Sequence, residues 1–223
     1  MLAYFQPVEI SYTDINQNKQ TYNQLLDYAL FGRAVNRGAE LPYDNPTMGD
    51  FTKHIFMWLD GTDFYTAPAS TQFHDSFEGG LVFHSLNVYN QVLDLIKLPK
   101  FQSVDISSAV FVALIHDWCK INQYEMYTRT VKDNNGNWVK EEAYKTRKNV
   151  ISAGHGPQSL IDAMLFCTTK YSALSNDEMM AIRWHMYTYD VTSYDLRPLN
   201  NCCEVIPLVH LIQFADQLAV TKY

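Results

Sequence analysis

The segment at residues 109–121, AVFVALIHDWCKI, is the feature that most constrains how this chain can fold. Its apolar residues cover nearly every side of a helix rather than one stripe, which is typical of a helix enclosed by others. The predicted helix, residues 104–121, contains the neighbours His116 and Asp117 in its middle. Two adjacent polar side chains in an apolar interior are costly unless an ion or a hydrogen-bonded network pairs them.

The remaining patterns predict a mainly helical single domain, 1–223, with one inserted β-hairpin. The turn sequence Asn134-Asn135-Gly136-Asn137 lies between two strand-like segments and predicts a hairpin over about 125–148. Residues 1–70 are expected to form an N-terminal helical extension packed on the core. Apolar spacing predicts helices at 19–35, from Asn45-Pro46-Thr47 to about Leu59, and at 80–98, 104–121, 155–171, 176–187 and 203–221.

Composition and charge exclude several kinds of binding partner and site for this chain. The formal net charge of −7 opposes binding to long nucleic acid or acidic membranes, although a locally positive cleft remains compatible with it. No apolar run approaches the roughly 20 residues of a membrane span, and no basic region precedes an apolar one at the N-terminus. We therefore expect a cytoplasmic protein. The four cysteines form no CxxC pair, so we expect reduced thiols rather than a cysteine-rich zinc site.

Four histidines and two aspartates fall on predicted helices or at their starts. All of them except His155 lie on a face of their own helix whose other residues are apolar. A lone buried histidine is usually a hydrogen-bonded core residue, and we assign His54 and His210 to that class. Six nitrogen and oxygen donors together suit Mn, Fe, Ni, Co or Zn, with Mg also compatible. The six are His84 in GGLVFHSLNV, His116 and Asp117 in ALIHDWCK, His155 in SAGHGPQS, His185 in AIRWHMY and Asp216 in QFADQLA.

The order and context of these residues resemble the HD superfamily of metal-dependent phosphohydrolases. The sequence HDWCK is similar to the family's HDxGK signature, with Cys119 where glycine is commoner. GGLVFHS resembles the stretch with the family's first ligand, and LIQFADQLA resembles the closing helix with its last aspartate. The resemblance runs from about His74 to Tyr223. This segment is similar to the HD domain of bacterial 3′–5′ exoribonucleases. It implies an HD-type helical bundle.

The resemblance also implies roles for individual residues. A first metal would be bound by His84, His116, Asp117 and Asp216, and a second by His155 and His185 with Asp117 as a bridge. Many two-metal members have a second histidine where this chain has Met186, so one or two divalent ions are expected. Asp117, Lys120 and His74 are the candidate catalytic residues. Lys120 would contact a phosphate or orient the carboxylate, whereas His74 would protonate a leaving group, bind a phosphate or have no such role.

Basic residues are concentrated in the predicted hairpin, which lies between two segments with candidate metal ligands. A positive flap beside the metals would attract an anionic substrate to an otherwise acidic protein. The alternative is a solvated hairpin with alternating charges. The candidate substrate-binding residues are Lys120, Arg129, Lys145, Arg147 and Lys148.

The leading hypothesis is hydrolysis of a phosphoester or phosphodiester by metal-activated water. A small phosphorylated substrate such as a nucleotide is favoured over long RNA, because the chain shows no attached nucleic-acid-binding module. Two alternatives stay open: a di-iron oxygenase of the same superfamily, and a metal-stabilised, non-catalytic nucleotide-binding module. Whether the chain forms a homodimer also stays open.

Overall fold

The computed structural model describes residues 4–39, 52–169 and 172–220. These ranges form a mainly helical fold with one two-stranded antiparallel hairpin, as the sequence predicts. The elements are α1 (Ile15–Asn36), α2 (Lys53–Asp60), α3 (Gly80–Leu95), α4 (Ile106–Ile115), β1 (Tyr124–Lys132), β2 (Trp138–Thr146), α5 (His155–Phe166), α6 (Asn176–Trp184), α7 (Leu196–Val205) and α8 (Pro207–Val220).

Helix α4 is the centre of the core. Every residue from 109 to 115 is fully buried, because α1, α3, α6 and α8 all pack against this helix. Asp105 caps its start by accepting hydrogen bonds from the backbone N–H groups of Ser107 and Ser108. The enclosed helix that the apolar run predicts is therefore present.

The predicted extent of this helix was wrong. α4 ends at Ile115, His116 is its C-cap, and a short 3-10 helix (Trp118–Lys120) follows. The backbone leaves the helical conformation at Asp117, with φ −107° and ψ 20°. Successive side chains of an α-helix are about 100° apart. After this break, Oδ2 of Asp117 lies 3.5 Å from Nε2 of His116, so the two adjacent side chains face the same space.

The C-terminal helix was also predicted incorrectly. The chain has two helices, α7 and α8, bent by 105° at Ile206 instead of one helix over 203–221. Pro207 explains the break, because a residue before proline is driven out of the helical region and Ile206 is extended. Within the described ranges, no single helix is long and apolar enough to cross a membrane. Only the bent pair α7 and α8 meets those length and composition criteria.

The other helices differ from prediction mainly at their ends. α1 begins four residues early, at Ile15, where the Asp14 side chain accepts from the N–H of Gln17. The predicted start of the second helix, at 45–47, lies outside the described residues, and α2 begins at Lys53. α5 stops at Phe166 and α6 at Trp184, both before the predicted ends.

A buried ion pair joins α1 to α6. The guanidinium of Arg33 donates to both carboxylate oxygens of Glu178, at 2.6 and 2.7 Å, and Arg37 donates to one of them at 2.8 Å. Glu178 also closes a capping box with Ser175 at the start of α6. The Arg33 guanidinium lies 3.7 Å from the ring centroid of Phe111, so the pair is packed directly against α4.

The hairpin is confirmed close to its predicted position. β1 and β2 pair antiparallel from Tyr124 opposite Thr146 to Lys132 opposite Trp138. It is inserted after the 3-10 helix and before α5, so its base lies beside the residues that follow Asp117.

Candidate metal centre

Two groups of histidine and aspartate side chains meet at one cavity. Asp117, His155, His185 and Asp216 line its floor, whereas His84 and His116 are fully buried and do not line it. The cavity has a volume of about 390 Å³ and is walled by the loop at 69–74, the base of the hairpin and the ends of α5, α6 and α8. Its polar lining consists largely of His74, Asp117, Lys120, His155, His185 and Asp216. Each group has three ligand atoms within 4.8 Å of one another, and either could hold a metal ion.

The first group consists of His84 on α3, His116 at the end of α4 and Asp216 on α8. The Nε2 atom of His84 is 3.1 Å from Oδ1 of Asp216 and 3.3 Å from Nε2 of His116. Two nitrogens bound at about 2.1 Å to one tetrahedral ion lie about 3.4 Å apart. The spacing of these ring nitrogens therefore fits a shared ion.

The second group consists of Asp117, His155 and His185. Oδ1 of Asp117 is 2.7 Å from Nε2 of His155 and 3.5 Å from Nε2 of His185. His155 is the first residue of α5, and its position depends on a close approach of α5 to α6. A Cβ atom on Gly156 would lie 2.1 Å from the carbonyl oxygen of Arg183, so this contact requires glycine.

Asp117 lies between the two groups. Its Oδ1 faces His155 and His185, whereas its Oδ2 is 3.5 Å from Nε2 of both His84 and His116. One carboxylate with each oxygen directed at a different set of imidazoles has the geometry of a bridging ligand. The sequence-predicted ligands therefore come together as two triads joined through one side chain.

The histidines are oriented by their own helices. Nδ1 of His116 is 2.8 Å from the carbonyl oxygen of Ala113, and Nδ1 of His185 is 2.7 Å from that of Ile182. Because a carbonyl oxygen only accepts, Nδ1 carries the proton in both rings and Nε2 is left as the donor atom for a metal. Nε2 of His185 is buried and has no hydrogen-bond partner among the described residues, which fits a ligand position.

The two carboxylates are held ionised. Burial alone would raise the pKa of Asp117, but the neighbouring positive charge of Lys120 is the main influence that holds it well below its usual value. Burial likewise opposes ionisation of Asp216, but a hydrogen bond from His84 dominates and lowers the pKa of Asp216. Both aspartates are therefore available as anionic ligands at neutral pH.

The histidines of the first group differ in protonation. Burial lowers the pKa of His116 to about 4, so this ring is neutral at pH 7. Burial also disfavours the charged form of His84, but the nearby carboxylates of Asp216, at 3.1 Å, and Asp75, at 3.7 Å, outweigh it and raise its pKa to about 9. Loading of a metal on His84 must therefore release a proton.

The other two candidate catalytic residues also reach the cavity. Lys120 is buried at the floor, with Nζ 2.5 Å from Oδ2 of Asp117. The ring of His74 lies 4.8 Å from that of His84, and its buried Nε2 has no hydrogen-bond partner within the described ranges. Burial lowers the pKa of His74 to about 4, so the ring is uncharged at neutral pH.

The basic side chains of the hairpin lie outside this cavity. The hairpin lines it only through Tyr124 and Thr146, at the base. The basic groups form ion pairs: Arg129 with Glu141 at 2.5 Å, Lys145 with Glu125 at 3.2 Å, and Arg147 with Asp63 at 3.3 Å. Lys148 is exposed on the segment after β2. Their part in substrate binding stays a prediction.

Sequence reasoning missed three residues at the site. Asp75 contacts His84, and the exposed rings of Phe73 and Tyr189 line the cavity. Asp75 directly follows His74, so the dipeptide His-Asp occurs twice in the chain, which was an available signal. The two histidines that were expected to have only a structural role lie outside the site. His54 contacts the carbonyl oxygen of Phe166, and His210 stacks on Phe214.

Comparison with protein-family models, with curated proteins and with solved structures finds no match to this chain.

Proposed function

We propose that this chain is a metal-dependent phosphohydrolase of the HD superfamily, which cleaves a phosphoester or phosphodiester bond in a nucleotide or short nucleic acid. The observation that carries the proposal concerns Asp117, which lies at the floor of a cavity and directs each of its two carboxylate oxygens at a different pair of histidines. Paired sites of this kind are common among enzymes that act on phosphate esters. The sequence resemblance to HD phosphohydrolases supports the same assignment.

In this proposal His84, His116 and Asp216 would hold one ion and His155 and His185 the other, and Asp117 would be a ligand shared by both sites. The donor set of imidazole nitrogens and carboxylate oxygens suits Mn, Fe, Ni, Co or Zn. When bound, such ions activate water near neutral pH and offset charge on phosphoryl oxygens.

The remaining polar residues of the floor would orient the reacting groups. Lys120 fixes the carboxylate of Asp117 through a buried ion pair, and its ammonium also lines the cavity, where it can attract a phosphate. His74 is uncharged at neutral pH, which favours a hydrogen bond to a phosphoryl oxygen over delivery of a proton to a leaving group.

The size and the lining of the cavity favour a small substrate that contains a ring. Its volume of about 390 Å³ lies within the range of roughly 300 to 1,000 Å³ that is typical of sites for small molecules. Much of the wall is apolar, from Ala69, Phe73, Met186, Tyr189 and Val220. The cavity thus has a polar floor and largely apolar walls. A nucleotide fits this arrangement with its phosphate at the floor and its base against the apolar side chains. The net charge of −7 disfavours long nucleic acid.

The decisive experiment is a phosphate-release screen on metal-free protein supplied separately with Mn, Co, Ni, Zn, Mg or Fe. Substrates would include nucleoside mono- and triphosphates, cyclic dinucleotides and short oligonucleotides. We expect turnover with at least one pair of ion and substrate, and a loss of at least 100-fold in Asp117→Asn. Asp162→Asn is the matched control, because Asp162 lies on α5 outside the cavity lining. Absence of turnover in every combination would refute the proposal.

A di-iron oxygenase is the second candidate function, and Met186 is the observation that favours it. This residue lines the cavity beside His185, at the position where many two-metal hydrolases of the superfamily have a second histidine. Iron content after aerobic and anaerobic purification, together with oxygen uptake, separates the two activities. A non-catalytic module would instead leave every measured activity unchanged in the folded variants His116→Ala and Asp117→Ala.

A further inference from the structure

His84 differs from the other two buried histidines in how its ring is held. In His116 and His185, Nδ1 is bonded to the carbonyl oxygen three residues earlier. The corresponding carbonyl for His84 belongs to Leu81, and it accepts the hydroxyl of Ser85 at 3.0 Å instead. Nδ1 of His84 is buried and has no hydrogen-bond partner in the described part of the chain. Its own helix therefore does not fix the orientation of this ring.

Asp75 supplies the missing acceptor. Its Oδ2 lies 3.7 Å from Nδ1 of His84, and this oxygen too is buried without a hydrogen-bond partner among the described residues. An N–H to carboxylate hydrogen bond spans about 2.7 to 2.9 Å. A movement of about 1 Å would therefore join two complementary buried atoms, each of which is costly when left unpaired.

The loop that carries Asp75 is firmly held. The carbonyl oxygen of Asp75 accepts the N–H of Ala69 at 3.0 Å, and the Ser70 hydroxyl bonds to both the N–H and the C=O of His74. A Cβ atom on Gly80 would lie 1.9 Å from the Asp75 carbonyl oxygen, so the loop can approach the start of α3 only at a glycine. This packing holds Asp75 at φ 46°, a conformation that Asp and Asn tolerate better than most residues.

We propose that Asp75 is a positioning residue for the metal ligand His84. It accepts a hydrogen bond from Nδ1–H, so that the lone pair of Nε2 is directed at the space shared with His116 and Asp216. The proposal rests on the metal site of the proposed function. A carboxylate behind a ligating imidazole fixes its tautomer and raises its basicity, and removal of such a partner lowers metal affinity by about 10- to 100-fold.

Two substitutions preserve the backbone while changing the acceptor. Asp75→Asn keeps the size of the side chain but replaces the anionic acceptor with a neutral amide, and Asp75→Gly removes the acceptor at a φ that glycine adopts freely. Asp94→Asn is the matched control, because Asp94 is an exposed carboxylate on the same helix as His84. Circular dichroism and the melting temperature of the metal-free proteins establish that each variant folds.

The readouts are the dissociation constant for Co²⁺ by calorimetry and the proton spectrum of the cobalt-loaded protein. In that spectrum the Nδ1–H of each coordinated histidine gives a separate, strongly shifted signal. We expect Asp75→Asn to weaken Co²⁺ binding about 10-fold and Asp75→Gly up to about 100-fold. The His84 Nδ1–H signal should exchange slowly with solvent in the wild type and rapidly in Asp75→Gly. Asp94→Asn should match the wild type.

Failure of this inference is distinguishable from failure of the proposed function. If the wild type binds no Co²⁺, the metal site itself is refuted. If the wild type binds Co²⁺ and the Asp75 variants bind it equally well with an unchanged His84 signal, Asp75 has no positioning role while the metal site stands. If Asp75→Gly does not fold, the affinity and exchange rate measured for Asp75→Asn decide between these outcomes.

Discussion

The ammonium of Lys120 lies 2.5 Å from Oδ2 of Asp117, and both side chains are buried at the cavity floor. That oxygen is the one that faces His84 and His116. Burial opposes the charge on Lys120, but the neighbouring carboxylate raises the pKa of this lysine above its usual value. In the metal-free chain Lys120 therefore supplies positive charge next to an oxygen that is a candidate metal ligand.

We expect Lys120→Met to destabilise the metal-free protein more than the metal-loaded one. Loss of one partner from a buried ion pair costs about 3 to 5 kcal/mol, because the other charge is left uncompensated. A bound cation would compensate Asp117 and recover part of that loss. Urea unfolding in EDTA and in excess Mn²⁺ measures the loss of unfolding free energy in the metal-free and in the metal-loaded protein. An equal loss in the two conditions would contradict the expectation. Lys97→Met, which breaks an exposed pair with Asp94, should cost less than about 1 kcal/mol.

The two triads lead to a prediction about metal stoichiometry. We expect the wild type to bind two ions per chain, His155→Ala to bind one, and Asp117→Ala to bind neither tightly, because Asp117 contacts both triads. Metal analysis after gel filtration gives the counts. His54→Ala is the control, since His54 contacts the carbonyl oxygen of Phe166 and should leave two ions bound. Retention of two ions in His155→Ala would exclude His155 as a ligand.

The sequence predicts the core and the six candidate ligands because their signals are local. A run of apolar residues identifies α4 whatever surrounds it, and polar residues within such helices stand out in the sequence. The break after Ile115 has no comparable local signal, because neither glycine nor proline occurs in residues 116–121. The bend at Ile206 did have a local signal, because a proline follows it.

Contacts between distant loops and strands were beyond prediction for a different reason. Asp75 lies in an irregular loop, and its contact with His84 follows from the close packing of that loop against Gly80. The pairing of Arg129 with Glu141 depends on strand register, which places the two residues opposite each other. Counting basic residues in the hairpin therefore suggested more free positive charge than the folded chain has there.

The ion pair between Arg33 and Glu178 should make stability depend on pH. Burial alone would raise the pKa of Glu178, but the hydrogen bond and charge of Arg33 dominate and lower it. A carboxyl group whose pKa is lower in the folded state stabilises the fold above its unfolded pKa, about 4.3. This contribution is lost as the pH falls through the lower folded value.

We expect Glu178→Gln to lower the free energy of unfolding by about 3 to 5 kcal/mol at pH 7, because Arg33 is left buried without its anion. The deficit should shrink as the pH falls below about 4, where the wild type loses the same interaction. Urea unfolding at pH 7 and at several values between 5 and 3 tests both statements. Glu204→Gln, at an exposed position on α7, should have little effect at any pH. A deficit independent of pH would show that the charge of Glu178 is not what stabilises this contact.

The rings of Phe73 and Tyr189 lead to a prediction about the substrate. Both line the cavity although they are 87% and 83% exposed, so they present apolar faces beside the triads without being part of the core. Stacking of a base on an aromatic side chain contributes about 1 to 3 kcal/mol. We expect Phe73→Ala and Tyr189→Ala each to raise KM for a nucleoside monophosphate by about 5- to 150-fold, with kcat within about threefold.

Glycerol phosphate separates this effect from damage to the metal centre, because it carries a phosphate but no ring. Its KM should be unchanged in both variants if the rings bind the base. Tyr194→Ala is the matched control, since Tyr194 is 91% exposed and lies outside the cavity lining. Equal losses for the two substrates would mean that the aromatic side chains support the site rather than contact the base. The ratio of the two KM values, measured with the same ion, therefore decides whether the substrate is recognised by its ring.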